Sequence, residues 1–182
     1  YCDEDREKND VYTKEHLALA RDVAKKSIVL LKNQNKLLPL SKTIKSIAVI
    51  GPLADDKDSP LGNWRGMGEY NSAVSLLEGV KNAVGKNTKI YYEEGGAITI
   101  PTIKPGDNQF LFPLKFNDTD VSGIPAAVEA AKKAEVVLLA IGENAYQSGE
   151  GRSQTNIGFF GVQQQLLEAV YKVNKNVVIV LM

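Results

Sequence analysis

Apolar residues recur along this chain in two alternating rhythms. From Glu15 the period is helical: Leu17, Ala20, Ala24, Ile28 and Leu31 share one stripe, while Arg21, Asp22, Lys25 and Lys32 fall off it. Asn33, Asn35 and Pro39 mark its end. KSIAVIG follows as a short β-rich run closing on Gly51-Pro52, and residues 73–84 return to helical spacing with Val74, Leu77 and Val80 apolar. TKIYYEEGG is the second strand candidate. Pro125 suits a first helical turn, and AAVEAAKKA continues it with strong helix formers. EVVLLAIG is the third strand, and its lack of alternation predicts burial on both faces. Val162, Leu166, Val170 and Val173 form another helical stripe before the fourth strand, NVVIVLM.

The order α-β-α-β-α-β-α-β predicts an α/β fold: a three-layer sandwich, its mostly parallel sheet carrying helices on both faces. Ligands of such sheets bind at the carboxyl ends of the strands. GPLADD, after the first strand, and GENAYQSGE, after the third, therefore fall on the expected functional edge. Two stretches stand outside the alternation. Residues 1–13 (YCDEDREKNDVYT) are charged and aperiodic, and read as a linker or docked arm. Residues 97–123, rich in Pro, Asp, Asn and Thr, form a long connection of the kind that is functional or disordered.

Composition narrows the chemistry. The 182 residues, 43% hydrophobic, suffice for a real core. Zero net charge argues against a nucleic-acid surface, and no apolar run reaches the ~20 residues of a membrane span. Cys2 is the only cysteine and His16 the only histidine, which leaves no metal-ligand set and no Ser-His-Asp or Cys-His device. Neither edge loop carries a G-x-G-x-x-G or G-x-x-x-x-G-K-[ST] phosphate turn, and Asp55-Asp56 would oppose a pyrophosphate. No cofactor is expected. The start at Tyr1 and the stop within NVVIVLM are expected of a piece of a longer polypeptide.

Carboxylate chemistry remains, because a carboxyl pair can cleave a glycosidic bond. Glu143 follows the third strand directly, where a side chain commonly fixes the loop by hydrogen bonds; Glu150 lies in Ser-Gly-Glu-Gly, where backbone freedom lets it reach a ligand. The plain alternative is that both are solvated loop glutamates. Trp64, in GNWRG at the same edge, either stacks on a sugar face or anchors its loop. Arg152 can pair with a carboxylate, and Phe159-Phe160 are placed to seat the loop before the last helix.

ARDVAKKSIVLLKNQNKLLPL, SIAVIGPLADD, LGNWRG, SLLEGVKNAVG, AAVEAAKKAEVVLLAIGE, SGEGRSQTNI and GVQQQLLEAVYKVNKNVVIVLM together resemble the second domain of glycoside hydrolase family 3, the bacterial β-glucosidases above all. The resemblance spans most of residues 15–182. It implies a linker over residues 1–13 leading from an N-terminal (β/α)8 barrel of the same polypeptide, and a sandwich over residues 14–182 truncated at its C-terminal end. It implies an oligosaccharide or glycoside substrate held between barrel and sandwich, the nucleophilic aspartate on the barrel, Glu150 as general acid/base, Trp64 and Arg152 against the substrate, and a periplasmic or secreted enzyme. Gln154, where the family commonly has arginine, and Phe159-Phe160-Gly161, where it has Leu-Pro-Gly, depart from the pattern.

Overall fold

The structure, a computed structural model, describes residues 2–100 and 114–182; most of the long connection read between 97 and 123 thus lies outside the described residues. The fold divides into two compact units, a first running to Leu38 and a second over Pro39–Met182.

In the first unit, the stretch read as a linker contains a short helix, α1 (Arg6–Asp10), exposed throughout and laced by the Arg6–Asp10 and Lys8–Asp5 ion pairs. Helix α2 (Lys14–Ser27) starts at Thr13, whose hydroxyl accepts from His16 N at 3.2 Å. It stops earlier than its apolar stripe predicts: Ile28 is already extended, with φ −71° and ψ 127°. Two local forces end it. Ser27 Oγ bonds back to Val23 O at 2.9 Å, and the β-branched pair Ile28-Val29 prefers extended backbone.

The second unit holds a parallel sheet of β1 (Ser46–Ile50), β2 (Lys89–Glu93), β3 (Val136–Ile141) and β4 (Val177–Leu181), in the order β2-β1-β3-β4. Helices α3 (Leu76–Ala83), α4 (Ile124–Lys133) and α5 (Gln163–Val173) connect successive strands. The path from β1 to β2 runs one way across the sheet, and those from β2 to β3 and β3 to β4 run the other. Right-handed crossovers then put α3 on one face and α4 with α5 on the opposite one, giving three layers.

Register explains the core. Ala48 and Ile50 of β1 pair with Val137 and Leu139 of β3, so all four side chains point to one face. Ala127, Ala130 and Ala131 of α4 and Leu166 and Val170 of α5 close over them. The small alanines let α4 lie tight on the sheet. Ile47, Val49, Val136, Leu138 and Ala140 point the other way and are buried as well. β3 is buried along its whole length, as its unbroken apolar run predicts, whereas β4, almost as apolar, is half-open: Ile179 is 45% and Leu181 55% exposed.

This strand order places a topological switch point between β1 and β3, whose onward connections leave in opposite directions. A glycine stands at each exit. Gly51 has φ +122°, and a Cβ there would lie 2.0 Å from Ala140 O; Gly142 has φ +143°, and a Cβ would lie 2.1 Å from Met182 O. Backbone approaches backbone too closely at both places for any other residue.

Candidate active-site edge

The loop after β1 folds on its own carboxylates. Asp56 Oδ1 accepts from Asp58 N at 2.8 Å and Ser59 N at 2.9 Å, and Asp56 Oδ2 accepts from Ser59 Oγ. This is the local Asx geometry that Asp-Lys-Asp-Ser invites. Asp55 Oδ1 accepts from Ser75 Oγ at 2.6 Å, while the same Ser75 oxygen accepts from Glu78 N at 3.1 Å and so caps α3. Asp58 pairs with Arg65, Oδ1 to Nη1 at 2.5 Å, with the side chains 21% and 9% exposed. Arg65 Nη1 also donates to Asp58 O at 3.3 Å, and its guanidinium lies 4.4 Å from the Tyr70 ring centre. Burial alone would lower the Arg65 pKa; the hydrogen bond and charge of Asp58 outweigh it and raise the pKa above the ordinary guanidinium value, with Tyr146 and Tyr70 adding to the rise.

The loop after β3 is fastened at its root. Glu143 N donates to Met182 O at 2.9 Å, extending the ladder between β3 and β4 by one rung. Gln163 on α5, fully buried, accepts from Gly142 N at 2.9 Å and donates to Gly142 O at 2.9 Å and Phe160 O at 3.0 Å. Asn144 and Gln147 then form a capping box around a one-turn 3-10 helix, Ala145–Gln147: Asn144 Oδ1 accepts from Tyr146 N at 3.1 Å, and Gln147 Oε1 accepts from Asn144 N at 3.0 Å. Phe160 stacks on Phe116 at 4.4 Å and Phe159 packs against the core, seating the far end of the loop as expected.

The two loops touch. Ala145 N donates to Ser59 Oγ at 3.2 Å, and a Cβ at Gly149 would lie 1.9 Å from Asn63 Nδ2, so Gly149 and Asn63 are in direct contact. Glu150 comes next, at the second position of a turn closed by Arg152 N donating to Gly149 O at 3.2 Å. Gly151 occupies the third position with φ +72°, the requirement of a type II turn. The turn projects Glu150 into solvent. Beyond it, Gln154 Nε2 donates to Gln147 O at 3.1 Å, so the residue standing in place of the expected arginine ties the outgoing limb to the loop's base.

The sequence-predicted site residues thus sit on two loops that meet at the sheet's switch point. Trp64 is 67% exposed, one residue from the Asn63–Gly149 contact; Arg152 is partly buried and closes the Glu150 turn with its backbone. Glu143 differs from expectation. Its exposed carboxylate makes no hydrogen bond among the described residues, and its contribution to loop order is its backbone N–H. Asn144, Gln147 and Gln163 do the fastening instead. Asn-x-x-Gln at 144–147 was a readable capping signal, whereas Gln163 looks like any polar residue opening a helix. A small cavity of about 160 Å³, lined by residues including Asp56, Glu94, Thr99 and Asn144, opens at this same edge. No group of three or more metal-ligating side chains occurs among the described residues, and no helix there is long and apolar enough to cross a membrane.

Known proteins resemble this chain in sequence and in fold. A periplasmic β-glucosidase of Salmonella typhimurium is 40% identical over 169 residues, covering 92% of this chain and 22% of its own length. A β-xylosidase of Formosa agariphila is 36% identical over 182 residues, covering 97% of this chain and 23% of its own. Among solved structures, a β-glucosidase involved in saponin metabolism from intestinal bacteria superposes with a TM-score of 0.82 at 25% identity, over 99% of this chain and 26% of that one. A mutant β-glucosidase of Listeria innocua in complex with laminaribiose gives 0.76 at 30%, over 98% and 21%. The chain spans under a quarter of the length of these curated relatives. Residues 28–182 match the glycosyl hydrolase family 3 C-terminal domain, and the chain belongs to that family.

Proposed function

We propose that this chain is the acid/base-bearing domain of a retaining glycosidase that removes a β-linked glucose or similar sugar from non-reducing ends, with Glu150 as the acid/base. The observation that carries the reading is the presentation of Glu150 into solvent on a glycine-flanked turn at the sheet's switch point, one residue beyond the contact with the Trp64 loop. Trp64 offers an aromatic face for the sugar, and Arg152 a cation near the reacting carboxylates. The nucleophilic aspartate belongs to an N-terminal (β/α)8 barrel joined through residues 1–13, and further polypeptide covers the open faces of Ile179 and Leu181 on β4. By homology with the Salmonella protein, the whole enzyme is periplasmic or secreted.

The chemistry follows from two carboxyls ~5–5.5 Å apart across the glycosidic bond. The barrel aspartate attacks the anomeric carbon while the protonated Glu150 gives its proton to the leaving oxygen. Glu150, now a carboxylate, takes a proton from water as that water displaces the aspartate and releases the sugar. The separate domain is therefore inactive on an aryl β-glucoside, and turnover that Glu150→Gln abolishes would overturn the missing-nucleophile reading. In the full-length protein, Glu150→Gln slows glycosides with poor leaving groups about 10²–10⁴-fold and activated aryl glycosides far less, since the latter need little protonation. Equal loss across leaving groups would favour the second reading, a sandwich that only packs or contacts carbohydrate. The β-xylosidase relative makes xylose the sugar to compare, by kcat/KM on matched aryl glucosides and xylosides.

A further inference from the structure

We infer that Arg65, clamped by Asp58, is a positioning residue for Glu150: the ion pair holds the loop after β1 in the shape on which the loop after β3 rests. The inference builds on the acid/base reading of Glu150. The loop after β1 meets the loop after β3 at residues 145 and 149, shortly before the acid. Ser59 Oγ receives Ala145 N at 3.2 Å, and Asn63 packs on Gly149. Ser59 and Asn63 both lie between Asp58 and Arg65, inside the span that the ion pair closes.

The pair is built to be rigid. Arg65 Nη1 reaches both the Asp58 carboxylate, at 2.5 Å, and the Asp58 carbonyl, at 3.3 Å, while the Tyr70 ring covers the guanidinium at 4.4 Å. The guanidinium is thus held at one nitrogen and over its face, a placement that an ammonium on a flexible stem reproduces only in part. With side chains 9% and 21% exposed, the pair is shielded from the screening that weakens surface pairs. Beyond Gly149 residues 153–158 are exposed, and Gln154 to Gln147 is one tie on the outgoing limb. The position of Glu150 thus depends on the incoming limb, one residue away at Gly149. A general acid must come within hydrogen-bond reach of the departing oxygen, and a misplacement of about 1 Å costs on the order of 10²-fold.

The test uses the full-length protein and a series of aryl β-glycosides running from dinitrophenyl to phenyl leaving groups, on whichever sugar the wild type turns over. Arg65→Met is expected to lower kcat/KM about ten- to a hundredfold for the poorest leaving group and about threefold or less for the best. Arg65→Lys restores part of the loss, and Asp58→Asn reproduces the pattern of Arg65→Met. A loss equal across the series, or none, overturns the inference by reducing the pair to a stabilising contact. Should Arg65→Met fail to fold, Asp58→Asn, which keeps the side-chain shape, decides by the same criterion. Glu150→Gln runs alongside: a steep dependence there with a flat one in the Arg65 and Asp58 variants sinks only the positioning role, while a flat dependence for Glu150→Gln sinks the acid reading and this inference together.

Discussion

The loops that leave β1 and β3 occupy equivalent places, each departing from a central strand through a positive-φ glycine at the switch point, and each carries carboxylates. They use them in opposite ways. After β1, Asp55 holds the cap of α3, Asp56 gathers two backbone N–H groups and a hydroxyl, and Asp58 faces Arg65. After β3, neither Glu143 nor Glu150 accepts a hydrogen bond among the described residues, and neutral amides from Asn144, Gln147 and Gln163 carry the structural load. The division follows side-chain length. Aspartate reaches its own neighbouring N–H groups and folds a loop; glutamate, one methylene longer, reaches past them. Asp56, holding three donors, is tied to its own loop, whereas the second loop carries exposed carboxylates that accept no hydrogen bond among the described residues.

The largest effect that would break this contrast on the stability side is at Asp56. Asp56→Ala removes the acceptor of Asp58 N, Ser59 N and Ser59 Oγ, and loosens the hydroxyl that meets Ala145 N. A loss of about 2 kcal/mol is expected, given the usual worth of hydrogen bonds to a charged, partly buried group. For a chain of this size it corresponds to a fall in Tm of roughly 4–8 °C. Glu150→Gln, expected to be costly to activity, should leave the Tm of the same chain in place. If the two variants melt together, the loops do not differ as described.

A smaller effect lies in acid. Asp120, before α4, is fully exposed yet hydrogen-bonded: the Ser122 hydroxyl and then the Ser122 N–H, at 3.0 Å from Oδ1, lower its pKa from the ordinary aspartate value, against a slight opposing desolvation. The sign follows. The folded state binds this proton more weakly than the unfolded one, so the stabilisation is present above the unfolded value of ~3.9 and is lost as pH falls through the lowered folded value. Urea unfolding of wild type and Asp120→Asn should show the wild type ahead at neutral pH and the difference shrinking below pH ~4. A difference independent of pH would mean that shape, and not charge, is what Asp120 contributes.

How much of this was readable beforehand depends on the range of the forces involved. EVVLLAIG declared a strand buried on both faces, since nothing polar interrupts it, and β3 is buried throughout. NVVIVLM sends the same message, yet Ile179 and Leu181 lie open, because burial depends on which neighbours cover a strand and not on the strand itself. The apolar stripe of α2 carried through Ile28 to Leu31, but a serine back-bond and two β-branched residues ended the helix at Ser27. At the site, Glu150, Trp64 and Arg152 stood out by residue type and loop position. Gln163 did not, as its role is a contact made across 21 residues, with Gly142, that no local pattern encodes.

The smallest expected effect is the one that separates the two glutamates. Glu143 begins the loop with its N–H committed to Met182 O at 2.9 Å and its side chain in water. Glu143→Gln keeps the backbone donor and the side-chain length and removes only the charge. Stability should stay within about 0.5 kcal/mol of wild type, the usual range for an exposed substitution that breaks no contact. In the full-length protein, kcat/KM should hold across all leaving groups, because a side chain at the fastened root of the loop cannot follow the turn out to the substrate. A leaving-group-dependent loss at Glu143 equal to that at Glu150 would mean that both carboxylates reach the glycosidic oxygen, and the glycine-flanked turn would then no longer account for which of them acts.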